Sequence, residues 1–170
     1  MYRGAVMKKN DVLKLLDDKK ISYRFEEHPA VYTMEEMHAL HLDGDKSIAK
    51  NLFLRDDKKR NYYLVSIGGD DPADLKSLQE ILGSRRLSFA SENDLKKLLK
   101  LKKGSVTPLG LLNDSSCTVQ YFADMRFHDH LIGVHPMENT ATVWLKTEDL
   151  MDLLKEHGSP VSYVQIHKIL

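Results

Sequence analysis

The sequence predicts an α+β domain, a mixed and largely antiparallel β-sheet surrounded by helices, on three observations. Helical and extended patterns alternate along the chain with no internal repeat. Two strand-like runs, 47–55 and 61–67, flank the short charged turn 56–60, the signature of an antiparallel hairpin. No proline-rich or low-complexity stretch marks a boundary, so the 170 residues are expected to form one domain, 1–170, with residues 1–6 as an N-terminal extension.

Taken in order, Asn10 or Asp11 is placed to cap a first helix whose apolar stripe is Val12, Leu15 and Leu16, and an extended segment follows at 22–25. Thr33 and Glu36 have the spacing of a capping box, in which each side chain satisfies a backbone donor at a helix start. Met34, Met37 and Leu40 then face inward. Gly68 and Gly69 end the hairpin's second strand, and Pro72 opens a helix with Leu75, Leu78, Ile81 and Leu82 on its buried face and Gly83 at its C-terminal cap. A short strand at 86–90 leads to Ser91, which caps a helix carrying Leu95, Leu98 and Leu99. Strands at 118–122, 131–134 and 140–145, a helix at 148–156 and a strand at 161–166 complete the chain.

Composition narrows the function. With 42% hydrophobic and 29% charged residues and no long apolar run, no membrane association is expected. A single cysteine, Cys117, and the absence of a secretory pattern point to a reducing cytoplasmic setting. The 25 basic and 25 acidic side chains cancel, which argues against coating of DNA or long RNA but leaves contact with one RNA end open. The lysine-rich runs at 58–60 and 96–103 read as solvated surface.

Three features are candidates for chemistry. In the strand beginning near Ser47, Ile48, Lys50, Leu52 and Leu54 share one face, so the Lys50 ammonium lies either at the strand's wet end or in a cleft holding an anion or carbonyl. The loop containing Gly104, Ser105, Val106, Thr107, Pro108 and Gly110 is stiff and allows close backbone approach, either as a ligand-binding turn or as a plain connection. His135 sits at a bend between two strands, suited to orienting a substrate or to a structural hydrogen bond. A metal site is not supported: His128, His130 and His135, and the pair His38 and His41, lack a His-Glu-x-x-His or paired-cysteine pattern. Cys117, assigned to a strand, has no protease signature around it, and no Gly-x-Ser-x-Gly elbow is present.

In order, His28-Pro29-Ala30-Val31-Tyr32-Thr33, Lys50-Asn51-Leu52-Phe53-Leu54, Gly104-Ser105-Val106-Thr107-Pro108, and His135-Pro136 followed by Asn139-Thr140-Ala141-Thr142 resemble the YbaK-like aminoacyl-tRNA deacylases. The similarity is greatest to the PrdX or ProXp-ala branch, free-standing relatives of the editing domain inserted in bacterial prolyl-tRNA synthetase. The resemblance implies a trans-editing enzyme that hydrolyses mischarged Ala-tRNA(Pro) without metal or organic cofactor. It implies proline tRNA as partner through its 3′ aminoacyl end and acceptor stem, and prolyl-tRNA synthetase as a further partner. By the same resemblance Lys50 is the functional lysine, contacting the terminal nucleotide or the ester region. Asn51 neighbours it, Gly104 to Pro108 shape the aminoacyl pocket with Ser105, Val106 and Thr107 between them, and His135 and Asn139 form the far wall. The alternatives are a deacylase preferring cysteine, serine or another small residue, a non-catalytic module binding a tRNA end or a synthetase, and a metal-dependent hydrolase.

Overall fold

A computed structural model describes residues 5–166. Of the extension expected before Met7, residues 1–4 lie outside the described residues; Ala5 and Val6 are exposed, and Met7 already belongs to the core. Helix α1 (Lys9–Asp18) starts earlier than expected. Asp11 does not cap it from the front; its carboxylate reaches back to accept from the Lys8 amide at 2.9 Å, satisfying a donor that the first turn leaves free. Val12 and Leu16 are fully buried, and Leu15 packs partly beside them.

The eight strands are β1 (Tyr23–Glu27), β2 (Ala49–Asp56), β3 (Tyr62–Gly68), β4 (Leu87–Phe89), β5 (Val119–Asp124), β6 (Leu131–Val134), β7 (Ala141–Lys146) and β8 (Val161–Val164). They form two sheets where one was expected: β1-β7-β6, antiparallel throughout, and β4-β2-β3-β5-β8, antiparallel at β4-β2-β3 and parallel at β3-β5-β8. The α+β class and the β2–β3 hairpin hold, with Lys50 opposite Ile67 and Asn51 opposite Ser66.

Three apolar clusters follow. One face of the larger sheet (Phe53, Leu64, Tyr121), the smaller sheet (Ile132, Val143, Leu145), α1 and α5 (Thr147–His157) enclose the main core. The other face of the larger sheet (Leu52, Leu54, Val65, Ile67) packs on Leu78 of α3 (Leu75–Leu82). The far face of the smaller sheet presents Trp144 to Met37 of α2 (Met34–His38). Helix α2 opens with half of the expected capping box: Thr33 Oγ1 accepts from the Glu36 amide at 3.1 Å, while the Glu36 carboxylate accepts from the Thr33 hydroxyl at 3.4 Å and not from the Thr33 amide. Helix α3 begins after Pro72, because Asp74 captures the Ser77 amide at 3.1 Å and so sets the first turn. Ser91 caps α4 (Glu92–Asp94), which continues as a π turn over Leu95–Leu99. Cys117 lies outside β5, in the turn before it, with φ +52.

The two sheets touch through a parallel bridge between Ile48 and Gly133. Beyond that bridge β4 covers β2 only from Leu54 to Asp56, so the outer edge of β2 around Lys50 and Asn51 lies where the sheets part. That parting positions the cleft described next.

Candidate active-site cleft

Successive side chains of a strand leave on opposite faces, so Lys50 and Asn51 meet different surroundings. Asn51 Oδ1 accepts from Ser66 Oγ at 2.5 Å, and Ser66 Oγ lies 2.7 Å from the hydroxyl of Tyr121. Since the serine proton is committed to Asn51, the Tyr121 hydroxyl is the donor to Ser66. Complete burial pushes that phenol's pKa up, which keeps it protonated for this role. The other end of the Asn51 amide, Nδ2, points to the Val106 carbonyl at 3.5 Å. A chain of polar groups thus runs from the buried core to the loop.

Gly104 has φ +87, a left-handed conformation that side chains disfavour. A Cβ there would stand 2.7 Å from Tyr32 Cδ1 and 3.3 Å from Asn139 Nδ2, so the glycine also makes room for two neighbours. Beyond it the Ser105 amide donates to the Lys102 carbonyl at 3.0 Å, Pro108 opens a 3-10 turn (Pro108–Asn113), and Thr107 Oγ1 accepts from the Leu109 amide at 3.3 Å. Ser105, Thr107 and Pro108 are buried, a firmer setting than an exposed connection. The amides of Val106 and Thr107 have no protein acceptor among the described residues.

Asn139 closes the opposite side. Its Nδ2 donates to the Val31 carbonyl at 2.8 Å, while its own carbonyl accepts from the Val31 amide at 3.2 Å. This pins the segment bearing Tyr32, whose ring is 67% exposed, against Gly104. His135 Nδ1 donates to the Ala141 carbonyl at 2.8 Å, which leaves Nε2 with the lone pair. Burial lowers its pKa, so the ring is neutral near pH 7. His28, whose ring centroid is 6.1 Å away, donates through Nδ1 to the Pro29 carbonyl at 2.9 Å and accepts from Thr142 Oγ1 at 2.8 Å.

Lys50 departs from the expected arrangement. Its half-buried ammonium donates to the Asp71 carbonyl, on the α3 side of the sheet, and does not converge on the Gly104 loop. The cause is the strand's alternation, which sends Asn51 toward the loop and Lys50 away from it. The Asp71 carboxylate pairs with Arg126 at 3.0 Å, and Arg126 lies across Gly68, where a Cβ would meet Nη1 at 1.8 Å. His38 is not a solvated helix residue: its ring bridges Asp45 at 2.6 Å and Asp70 at 2.8 Å. The hydrogen bond that the His38 ring donates to the Asp45 carboxylate is the main cause of its raised pKa.

The structure therefore gathers Asn51, Gly104 to Pro108 and Asn139, with His135 in the second strand layer, and sets Lys50 on the other face of the same strand. Sequence reasoning assigned no role to Tyr32, Ser66 or Arg126. Tyr32 carried a usable signal, an aromatic within the His28–Thr33 motif; Ser66 and Arg126 carried none, since their parts depend on pairing across strands. Among the described residues, His128, Asp129 and Glu148 offer potential metal ligands within 4.8 Å of one another. Glu148 already accepts from the Asp129 amide and the Tyr163 hydroxyl, and the group lies apart from Asn51 and the loop in the β5–β6 connection and the first turn of α5. The Cys117 thiol, raised in pKa by burial, is no nucleophile at neutral pH.

Residues 28–153 match the family profile described as the aminoacyl-tRNA editing domain. The chain is 44% identical over 159 residues to the prolyl-tRNA editing protein ProX of Acetoanaerobium sticklandii, covering 93% of this chain and 97% of that protein. It is 41% identical over 139 residues to the prolyl-tRNA synthetase associated domain-containing protein 1 of Mus musculus, covering 78% and 80% of the two chains. A solved structure described as that of a proposed trans-editing enzyme for prolyl tRNA synthetase superposes with a TM-score of 0.68 at 20% identity, covering 94% of this chain and 97% of that one. That superposition speaks to the fold.

Proposed function

Because the chain belongs to the aminoacyl-tRNA editing domain family, we propose that it is a free-standing deacylase that removes alanine from mischarged proline tRNA. Membership makes the reaction class ester hydrolysis at an aminoacyl-tRNA 3′ end. The proline tRNA is taken from the name of the ProX relative, and contact with a prolyl-tRNA synthetase from that of the mouse relative. Alanine follows from discrimination: it is smaller than proline, so a synthetic site that admits proline cannot reject it by size, whereas a second, small site can.

The observation that carries the reading is the Val106 amide, half-exposed and without a protein acceptor among the described residues, on a loop held beside Asn51 by a hydrogen-bond chain from the core. A donor fixed in place before reaction suits an ester carbonyl on which negative charge develops, and its fixity spares reorganisation during the reaction. An aminoacyl ester is labile, so positioning a water and polarising the carbonyl is sufficient chemistry; the substrate's own ribose hydroxyl is the assigned helper of that water. Asn51 Nδ2 and the loop hold the aminoacyl end, and neutral His135 lines the far side with its Nε2 as acceptor. Lys50, on the other face of β2, holds the phosphate of the terminal nucleotide as the RNA end passes over the strand.

Lys50→Ala tests this division. Loss of one charge-assisted hydrogen bond, about 1.5–3 kcal/mol, lowers kcat/KM about ten- to 150-fold on Ala-tRNA(Pro). Unchanged cleavage removes Lys50 from the site. Running the panel with alanine, cysteine and serine esters of proline tRNA separates the alanine assignment from the other small residues.

A further inference from the structure

On the Lys50 face of the sheet, two clefts meet. One is lined by His38, Asp45, Lys46, Ile48, Gly69, Asp70 and Arg126, the other by Lys46, Ser47, Arg126, Phe127, His130 and Leu131. The second contains no carboxylate among its lining residues. Its chemistry is that of two permanent cations and an imidazole around an apolar floor, where Phe127 is buried and Leu131 is 48% exposed. Arg126 is already paired with the Asp71 carboxylate, so the uncompensated positive charge among the described residues lining this groove is that of Lys46.

We propose that the Lys46–Arg126–His130 groove binds the backbone phosphates of the single-stranded RNA next to the terminal nucleotide. The proposal rests on the editing reading and extends it, because the groove is joined to Lys50 by a defined path. Arg126 pairs with the Asp71 carboxylate, and the Asp71 carbonyl accepts the Lys50 ammonium. Lys46 precedes the Ile48–Gly133 bridge by two residues, so it stands at the entrance of the same strand that carries Lys50 and Asn51. Exposed Lys46 has no hydrogen-bond or ion-pair partner among the described residues, so its ammonium is available to a ligand. Charge alone attracts phosphate; the exposed Leu131 beside it suits the face of a nucleobase, and this combination fits RNA better than a free anion. The acids Asp45 and Asp70 on the adjoining cleft are held by His38, which tempers their repulsion of a phosphate chain.

The test is binding of fluorescently labelled, uncharged proline tRNA to the full chain, followed by anisotropy across a salt titration, for the parent, Lys46→Ala, Arg126→Gln and, as a control, Lys58→Ala in the exposed β2–β3 turn. Removing one phosphate contact lowers the slope of log affinity against log salt by about 0.7–0.9, which is about tenfold in affinity near 50 mM salt. Lys46→Ala is expected to show that loss and Lys58→Ala none, and Lys46→Ala keeps the test valid if Arg126→Gln fails to fold. Inorganic phosphate at the same ionic strength is expected to compete weakly; competition as strong as that of unlabelled tRNA makes the groove a simple anion site and overturns the proposal. A parent-like slope for Lys46→Ala overturns it while leaving the deacylase reading intact, and so does lost affinity for a prolyl-tRNA synthetase with tRNA binding unchanged. Absence of tRNA binding by the parent overturns both readings.

Discussion

Ser66→Ala is the perturbation whose cost follows most directly from the structure. Ser66 Oγ lies 2.5 Å from Asn51 Oδ1 and 2.7 Å from the fully buried Tyr121 hydroxyl, so alanine strands both partners. Asn51 is half-buried and water can replace what it loses, whereas the Tyr121 hydroxyl has no such recourse. A buried polar group left unpaired costs about 1–3 kcal/mol, and for a domain of this size each kcal/mol is about 2–4 °C in Tm, giving a fall of about 2–12 °C. Tyr121→Phe leaves the serine donating to Asn51 and is expected to cost about 0.5–1.5 kcal/mol. The double variant leaves no orphan in the core, so its cost falls short of the sum of the singles by about 0.5–3 kcal/mol. Urea denaturation of the four proteins measures that coupling. Deacylation of the same four separates position from stability: Ser66→Ala frees the Asn51 amide and lowers kcat/KM about tenfold, about 1.4 kcal/mol, while Tyr121→Phe stays within about threefold. Strictly additive stabilities, or equal activity losses in both singles, refute the directional chain from core to loop.

Gly104→Ala combines an unfavourable φ with a collision at Tyr32. The backbone cost alone is about 1–2 kcal/mol, so Tm falls by about 2–8 °C, and displacement of Tyr32 and Asn139 lowers kcat/KM as well; parent-like values in both assays contradict the close approach described here. The His38 clamp gives a pH signature. Its folded pKa is raised above the ordinary value of 6.5, mainly by Asp45, so its contribution is complete below that value and fades as pH rises through the folded pKa. The Tm difference between the parent and His38→Gln is therefore expected to be widest at acidic pH and to narrow on the alkaline side, and a difference that grows with pH reverses the assigned sign.

Much of the architecture was legible because its determinants are local. The Thr33 and Ser91 caps, the left-handed Gly83 terminus and the charged turn of the β2–β3 hairpin each depend on residues within a few positions of one another. The division into two sheets was not legible, because β1 finds β7 more than a hundred residues later and no local pattern encodes that pairing. The site shows the same split. Gly104, Asn139 and Asn51 were recognisable as motif members, but that Asn139 pins Tyr32 across Gly104 depends on contacts between distant segments. Alternation along β2 was readable from the sequence, and it separates Lys50 from Asn51. The surroundings on each side, Asp71 for one and Val106 for the other, became visible only once the sheets and loops were in place.

The most direct measurement compares kcat/KM for Ala-tRNA(Pro) and Pro-tRNA(Pro) on the full-length chain, against spontaneous hydrolysis of each ester. Alanine release well above background, with proline release at or near it, is the expected result. Equal release of both amino acids, or neither above the uncatalysed rate, contradicts removal of alanine by a small, preformed site.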